Sequence, residues 1–148
     1  MLVAMRAKPL FVVAGAVGGT LVATAAFVLN GNASEAPKAV AYRDVNKIAA
    51  VLRDHGADGC EADATRVECR HEGRYVAGTV LTPGLTMDAA LSTWRTGVAQ
   101  SALGEQGPFA ILQGPNWLVT GPGALMREAS QELGGRLINC DRPYGACR

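Results

Sequence analysis

An unbroken run of 21 residues without a charge, Pro9 to Leu29, limits what this 148-residue chain can become. A stretch of about 20 apolar residues can cross the hydrocarbon core of a bilayer, whereas the apolar part of a cleavable signal peptide is usually about 7–15 residues long. Arg6 and Lys8 precede the run and no acidic residue does. Flanking cations hold that end in the cytoplasm, so everything after Leu29 is expected on the outer side. Two outcomes stay open. Residues 1–29 form a signal anchor, giving a single-pass protein of the cytoplasmic membrane with its N-terminus inside. Alternatively they are a long signal peptide removed near Ala33 or Ala36, and the rest is secreted. The first cysteine is Cys60, far from the end of the run, which argues against a lipid anchor. Within the run, "GAVGGT" has the look of a phosphate loop but lacks its lysine. Gly15 and Gly19 make a GxxxG pair, a spacing that arises easily by chance in a Gly/Ala-rich segment.

Residues 30–41 are small, polar and proline-containing and read as a linker, with Asn32 a formal glycosylation acceptor. Residues 42–148 are expected to form one exported domain. From residue 35 onward the chain holds 12 Lys or Arg against 13 Asp or Glu, a net charge of −1. A mixed, near-neutral surface gives no electrostatic footing for nucleic acid. Aromatic residues make up only 5%, so the core must rest on Val, Leu, Ile and Ala.

In "DVNKIAAVLRDHG", Val45, Ile48, Ala49, Val51 and Leu52 fall at helical spacing, with Asp44 as N-cap and Gly56 as stop. "RVECRHEGRYVAGTVL" alternates on both sides of Glu72-Gly73, a hairpin signal. Folded back, it puts Val67, Cys69, Val76, Gly78 and Val80 on one face and Arg66, Glu68, Arg70 and Tyr75 on a wet one. A second helix capped by Thr86 carries Met87, Leu91, Trp94 and Val98 as an apolar stripe, with Trp94 packing under the sheet. "PFAILQ" and "WLVTG" flank "GPN" as a second hairpin. A third helix, Ala124 to Leu133, buries Leu125, Met126, Ala129 and Leu133 and stops at Gly134-Gly135; "RLINC" is a last strand. The order α-ββ-α-ββ-α-β predicts an α+β fold, a mostly antiparallel sheet of about five strands with three helices on one face.

Four cysteines, Cys60, Cys69, Cys140 and Cys147, follow the apolar run. An even count in an oxidising compartment argues for two disulfides. Three connectivities are possible. Cys60–Cys69, with Cys60 in the loop before the first hairpin, and Cys140–Cys147 are preferred, since near neighbours close most easily. Cys69 and His71 share a strand face like half a zinc site, but no CxxC spacing supports metal or redox chemistry.

A catalytic set is missing from the sequence. Ser92, Ser101 and Ser130 fall in or at the ends of helices, and there is no GxSxG elbow. His55 ends the first helix, where a cation suits the dipole. His71 lies beside a hairpin turn and is expected to be solvated. Glu61 and Asp63 are the only close carboxylates outside helices, too few oxygens for calcium. No cofactor is implied. The best binding candidate is Asn116 with Trp117. A Gly-Pro-Asn turn precedes the tryptophan, whose commoner role is core packing against Val119 and Gly121.

Cys60/Cys69, the phrase from Leu112 to Gly121 and that from Leu133 to Ile138 together resemble a group of small exported proteins of actinobacteria that carry a membrane anchor or lipid signal. The resemblance spans roughly Val45 to Cys140. It implies an extracytoplasmic location and this architecture, but no activity. The chain departs from the group in having no lipid-modified cysteine and in its Cys140/Cys147 tail. Together these features point to a membrane-tethered, non-catalytic binding or interaction domain with an envelope or extracellular partner. The competing expectations are a cleaved, secreted binder or inhibitor and an enzyme with unconventional residues.

Overall fold

The computed structural model describes residues 37–101, 107–141 and 147–148, without the side chains of 98–101. The apolar run Pro9–Leu29, its Gly15/Gly19 pair, Asn32 and the cleavage positions Ala33 and Ala36 lie outside the described residues. So do the side chain of Val98 and most of the tail between the last two cysteines.

The chain runs α1 (Asn46–Asp54), β1 (Asp58–Ala62), β2 (Arg66–His71), β3 (Arg74–Val80), α2 (Met87–Ser101), β4 (Phe109–Gln113), β5 (Trp117–Pro122), α3 (Gly123–Leu133) and β6 (Arg136–Cys140). The six strands form one sheet in the order β1-β2-β3-β5-β4-β6, every pairing antiparallel. The fold is thus α+β, with one strand more than the five expected. The extra strand is β1, which carries Cys60 out of the expected loop and into the sheet. It has no apolar alternation because its outer edge is open and none of its residues is fully buried. Its register with β2 shifts between Asp58 and Glu61, and a disulfide, Cys60–Cys69, ties the two strands.

Each hairpin follows from its turn. Glu72 and Gly73 both take positive φ, 51° and 78°, the primed geometry that matches strand twist. Residues 114–116 join β4 to β5, and the Trp117 carbonyl accepts the Gly114 N–H at 2.9 Å. Thr86 caps α2 through Oγ1, which accepts the Ala89 N–H. At α1 the expected cap is displaced by one residue. Val45 occupies the cap position, and Asp44 Oδ1 accepts the Asn46 N–H at 2.9 Å.

The helices do not share one face. Strand alternation puts Val67, Cys69, Val76, Val80, Ala110, Leu112, Trp117 and Val119 on one side, buried with α1 and α3 through Ile48, Leu52, Leu125, Met126 and Leu133. The opposite side carries Phe109, Ile111, Leu118 and Ile138, and α2 covers these with Met87, Ala90, Leu91 and Trp94. The expectation of three helices on one face fails because the face read as wet is not wet throughout. Over β4, β5 and β6 it carries Phe109, Ile111, Leu118 and Ile138, which need their own cover. At roughly 1.5–3 kcal/mol for each large side chain fully buried, leaving Ile111, Leu118 and Ile138 in water is unaffordable for a domain this size.

All four cysteines are paired, Cys60–Cys69 and Cys140–Cys147. The second pair pins the C-terminal residues against β6, where Asn139 and Arg148 exchange two backbone hydrogen bonds at 2.8 Å. Loops this short stabilise by roughly 2–3 kcal/mol each in the chain-entropy account. No helix among the described residues is long and apolar enough to cross a membrane.

Candidate functional site

Trp117 is fully buried. Its indole lies flat over Gly114, where a Cβ would come within 1.9 Å of the ring, so no other residue fits there. The side-chain polar groups of the Asn116–Trp117 pair bond to the chain's own entry segment. Trp117 Nε1 donates to the Val40 carbonyl at 2.8 Å, and Asn116 Nδ2 donates to the Tyr42 carbonyl at 2.7 Å. Asn116 Oδ1 accepts the Tyr42 N–H at 2.9 Å. Tyr42 stacks on Trp117 with ring centroids 5.9 Å apart, and burial pushes its phenol above the ordinary range. Gly134 completes the seat. It has φ of +68°, and a Cβ there would lie 2.0 Å from the Pro37 carbonyl oxygen. Residues 37–41, expected as the end of a linker, therefore form with Tyr42 a strap packed on the first core. What Asn116 and Trp117 hold is this strap.

The other face carries an open site. A cavity of about 350 Å³ lies between α2 and the strands β2 and β3. Its floor is Leu81, Ala90 and Leu118, and the exposed Leu85 stands at its rim. Arg66, Tyr75 and Trp94 form its polar end, with threonine hydroxyls at 65, 79, 82 and 93 around it. Among the described lining residues Arg66 is the sole charged one.

Arg66 and Tyr75 arrive together because antiparallel pairing sets Arg66 opposite Thr79 and Arg70 opposite Tyr75 on the same face. The Arg66 guanidinium sits 6.0 Å from the Trp94 ring centroid, within cation–π range, and forms an ion pair with Glu68. Burial works against its charge. Hydrogen bonds to Tyr75 and Glu68, with the Glu68 charge, outweigh this and hold its pKa above the ordinary value. Arg70 lies over Tyr75 at 5.7 Å. Trp94 Nε1 is buried and has no hydrogen-bond partner in the protein. An indole N–H can only donate, so whatever satisfies it must accept.

The other sequence candidates lie elsewhere. His55 is held between two carboxylates of α3, Nε2 to Glu132 at 2.8 Å and Nδ1 to Glu128 at 3.4 Å, and so clamps α1 to α3. His71 is half-buried, not solvated as expected. Its ring packs where the chain passes Gly56, and its Nδ1 is buried without a partner. It shares the α1/α3 face with Cys69, whose sulfur is in a disulfide and closed to metal. Glu61 pairs in register with Glu68 on the opposite face, so His71 and Glu61 do not converge. Asp63 Oδ1 accepts the backbone N–H groups of Thr65 and Arg66 at 2.7 and 2.8 Å, which holds its carboxyl below the ordinary range. This is a turn, and among the described residues no three His, Cys, Asp or Glu could together hold a metal.

Sequence reasoning placed Arg66 and Tyr75 on one face and Trp94 on an apolar stripe, but not in one site. The missing step was the side of the sheet that α2 takes. Comparison with known proteins finds no matching family model, no matching curated protein and no matching solved structure.

Proposed function

We propose that the described domain is a non-catalytic ligand-binding module, held outside the cytoplasmic membrane by the segment Pro9–Leu29, and that its ligand enters the groove between α2 and the β2–β3 strands. The observation that carries the binding role is the open, largely apolar cavity itself, with the Arg66 guanidinium and the Trp94 ring at its polar end. Binding sites of this kind are concave, mostly apolar and supplied with a few placed polar groups. A non-catalytic role is favoured because neither histidine and no carboxylate is among the groove's described lining residues, so none of these supplies a general base of the usual kind. Export is supported by the pairing of all four cysteines, a state that persists in oxidising compartments.

Two measurements test this. Fractionation of the native host is expected to find the full-length chain in the membrane, with its domain open to protease added from outside. Mature protein found only in the culture supernatant overturns the tether and leaves a secreted binder. For the binding role, Thr93→Trp adds bulk at an exposed position of α2 that lines the groove. Envelope molecules co-purifying with the native chain should be lost in this variant while its circular dichroism is unchanged. Retention of all of them by Thr93→Trp defeats the groove as the site.

A further inference from the structure

We infer that the groove under α2 takes a small amphipathic monocarboxylate, an apolar chain or ring ending in one carboxylate. This rests on the groove being the binding site and adds the class of ligand. The walls set half of the chemistry: Leu81, Leu85, Ala90 and Leu118 offer only hydrocarbon to what lies between them. The polar end sets the rest. The Arg66 guanidinium is a donor with no acceptor capacity, and no Asp or Glu is among the described lining residues. An uncharged or cationic head leaves Arg66 no better served than water does, whereas an acceptor carrying negative charge engages it through a charge-assisted bond.

One negative charge fits and two do not. Arg66 is the sole cation among the described lining residues, and a phosphate monoester dianion there would leave charge uncompensated against an apolar wall. Glu68 adds a further condition. It lies outside the lining but pairs with Arg66 Nη2, so in the free protein it acts as the resident counter-ion. An incoming carboxylate competes with Glu68 for the same guanidinium. Removing the Glu68 charge therefore strengthens ligand binding, whereas neutralising Arg66 abolishes the preference for an acid.

The test uses the full-length chain in nanodiscs of zwitterionic lipid, titrated with octanoate, octanol, octylammonium and octyl phosphate, with empty nanodiscs as the partition reference. Trp94 emission reports occupancy, since Trp117 is sealed in the opposite core. Octanoate is expected to bind about tenfold tighter than octanol, the factor one charge-assisted hydrogen bond supplies. Arg66→Gln removes that preference, and Glu68→Gln tightens octanoate several-fold without changing octanol. Octanol or octylammonium binding as well as octanoate, octyl phosphate binding tighter, or Glu68→Gln having no effect each overturns the monocarboxylate while leaving a groove that binds. If none of the four probes binds, the groove reading falls with it.

Discussion

On the side of the sheet covered by α1 and α3, Trp117, Val119, Leu112, Val67 and Val76 are fully buried, and the strap of residues 37–42 packs on Trp117. On the side covered by α2, Ile111 and Leu118 are equally buried, yet Trp94 is only half-buried and a cavity opens beside it. The two tryptophans make the contrast sharp. Trp117 stacks on Tyr42 and donates to a backbone carbonyl; Trp94 meets a guanidinium on its face and leaves its N–H unused. Two helices and a strap are enough to finish one face, and a single helix is not enough to finish the other. The unfinished face is where a protein can receive something without dismantling its core.

The largest effect that tests this contrast is truncation of each tryptophan. Trp117→Ala leaves a large cavity and an orphaned Val40 carbonyl, and should cost about 3–5 kcal/mol in chemical denaturation. Trp94→Ala removes a half-buried ring and should cost less, about 1–2 kcal/mol. Equal losses would mean that both faces are core and the groove is a packing defect. A smaller effect isolates the strap. Asn116→Ala deletes two hydrogen bonds to Tyr42 and should cost about 1–2 kcal/mol. Amide exchange at Tyr42 should then accelerate while exchange along β5 stays slow. Unchanged Tyr42 exchange would show that stacking alone holds the strap.

Much of this was legible in the residues. Glu72-Gly73 and Gly114-Pro115-Asn116 announce two hairpins, and the stripes of α1 and α3 announce the core that Trp117 joins. Three things were not, each for a physical reason. The stripe on α2 says that something apolar needs covering but not on which side, since a helix can cross to either face of a sheet. β1 has no alternation, because none of its residues is fully buried and its place is secured by backbone pairing and one disulfide. The strap is anchored through the Val40 carbonyl and the Tyr42 N–H and carbonyl, backbone groups that every residue has. The groove inherits the first of these gaps: Arg66, Tyr75 and Trp94 were each visible, but their meeting depends on where α2 lies.

The smallest effect separates the faces by pH. Asp63 accepts the N–H groups of Thr65 and Arg66, and so holds the turn from which Arg66 enters the groove. Those bonds favour the ionised carboxylate and lower its pKa in the folded chain. A carboxyl lowered on folding contributes stability that is complete above its unfolded value, about 4, and is lost as pH falls through the folded value. Acidification below about pH 4 should therefore loosen the Thr65 and Arg66 amides first, read by hydrogen exchange, while the Trp117 amide in β5 stays protected. Asp63→Asn should lower the protection of those two amides, relative to their intrinsic exchange rates, at neutral pH and leave that protection nearly independent of acidification. If acid instead releases both faces together, the groove's rim is as tightly coupled to the core as the strap is, and the division between a finished and an unfinished face does not hold.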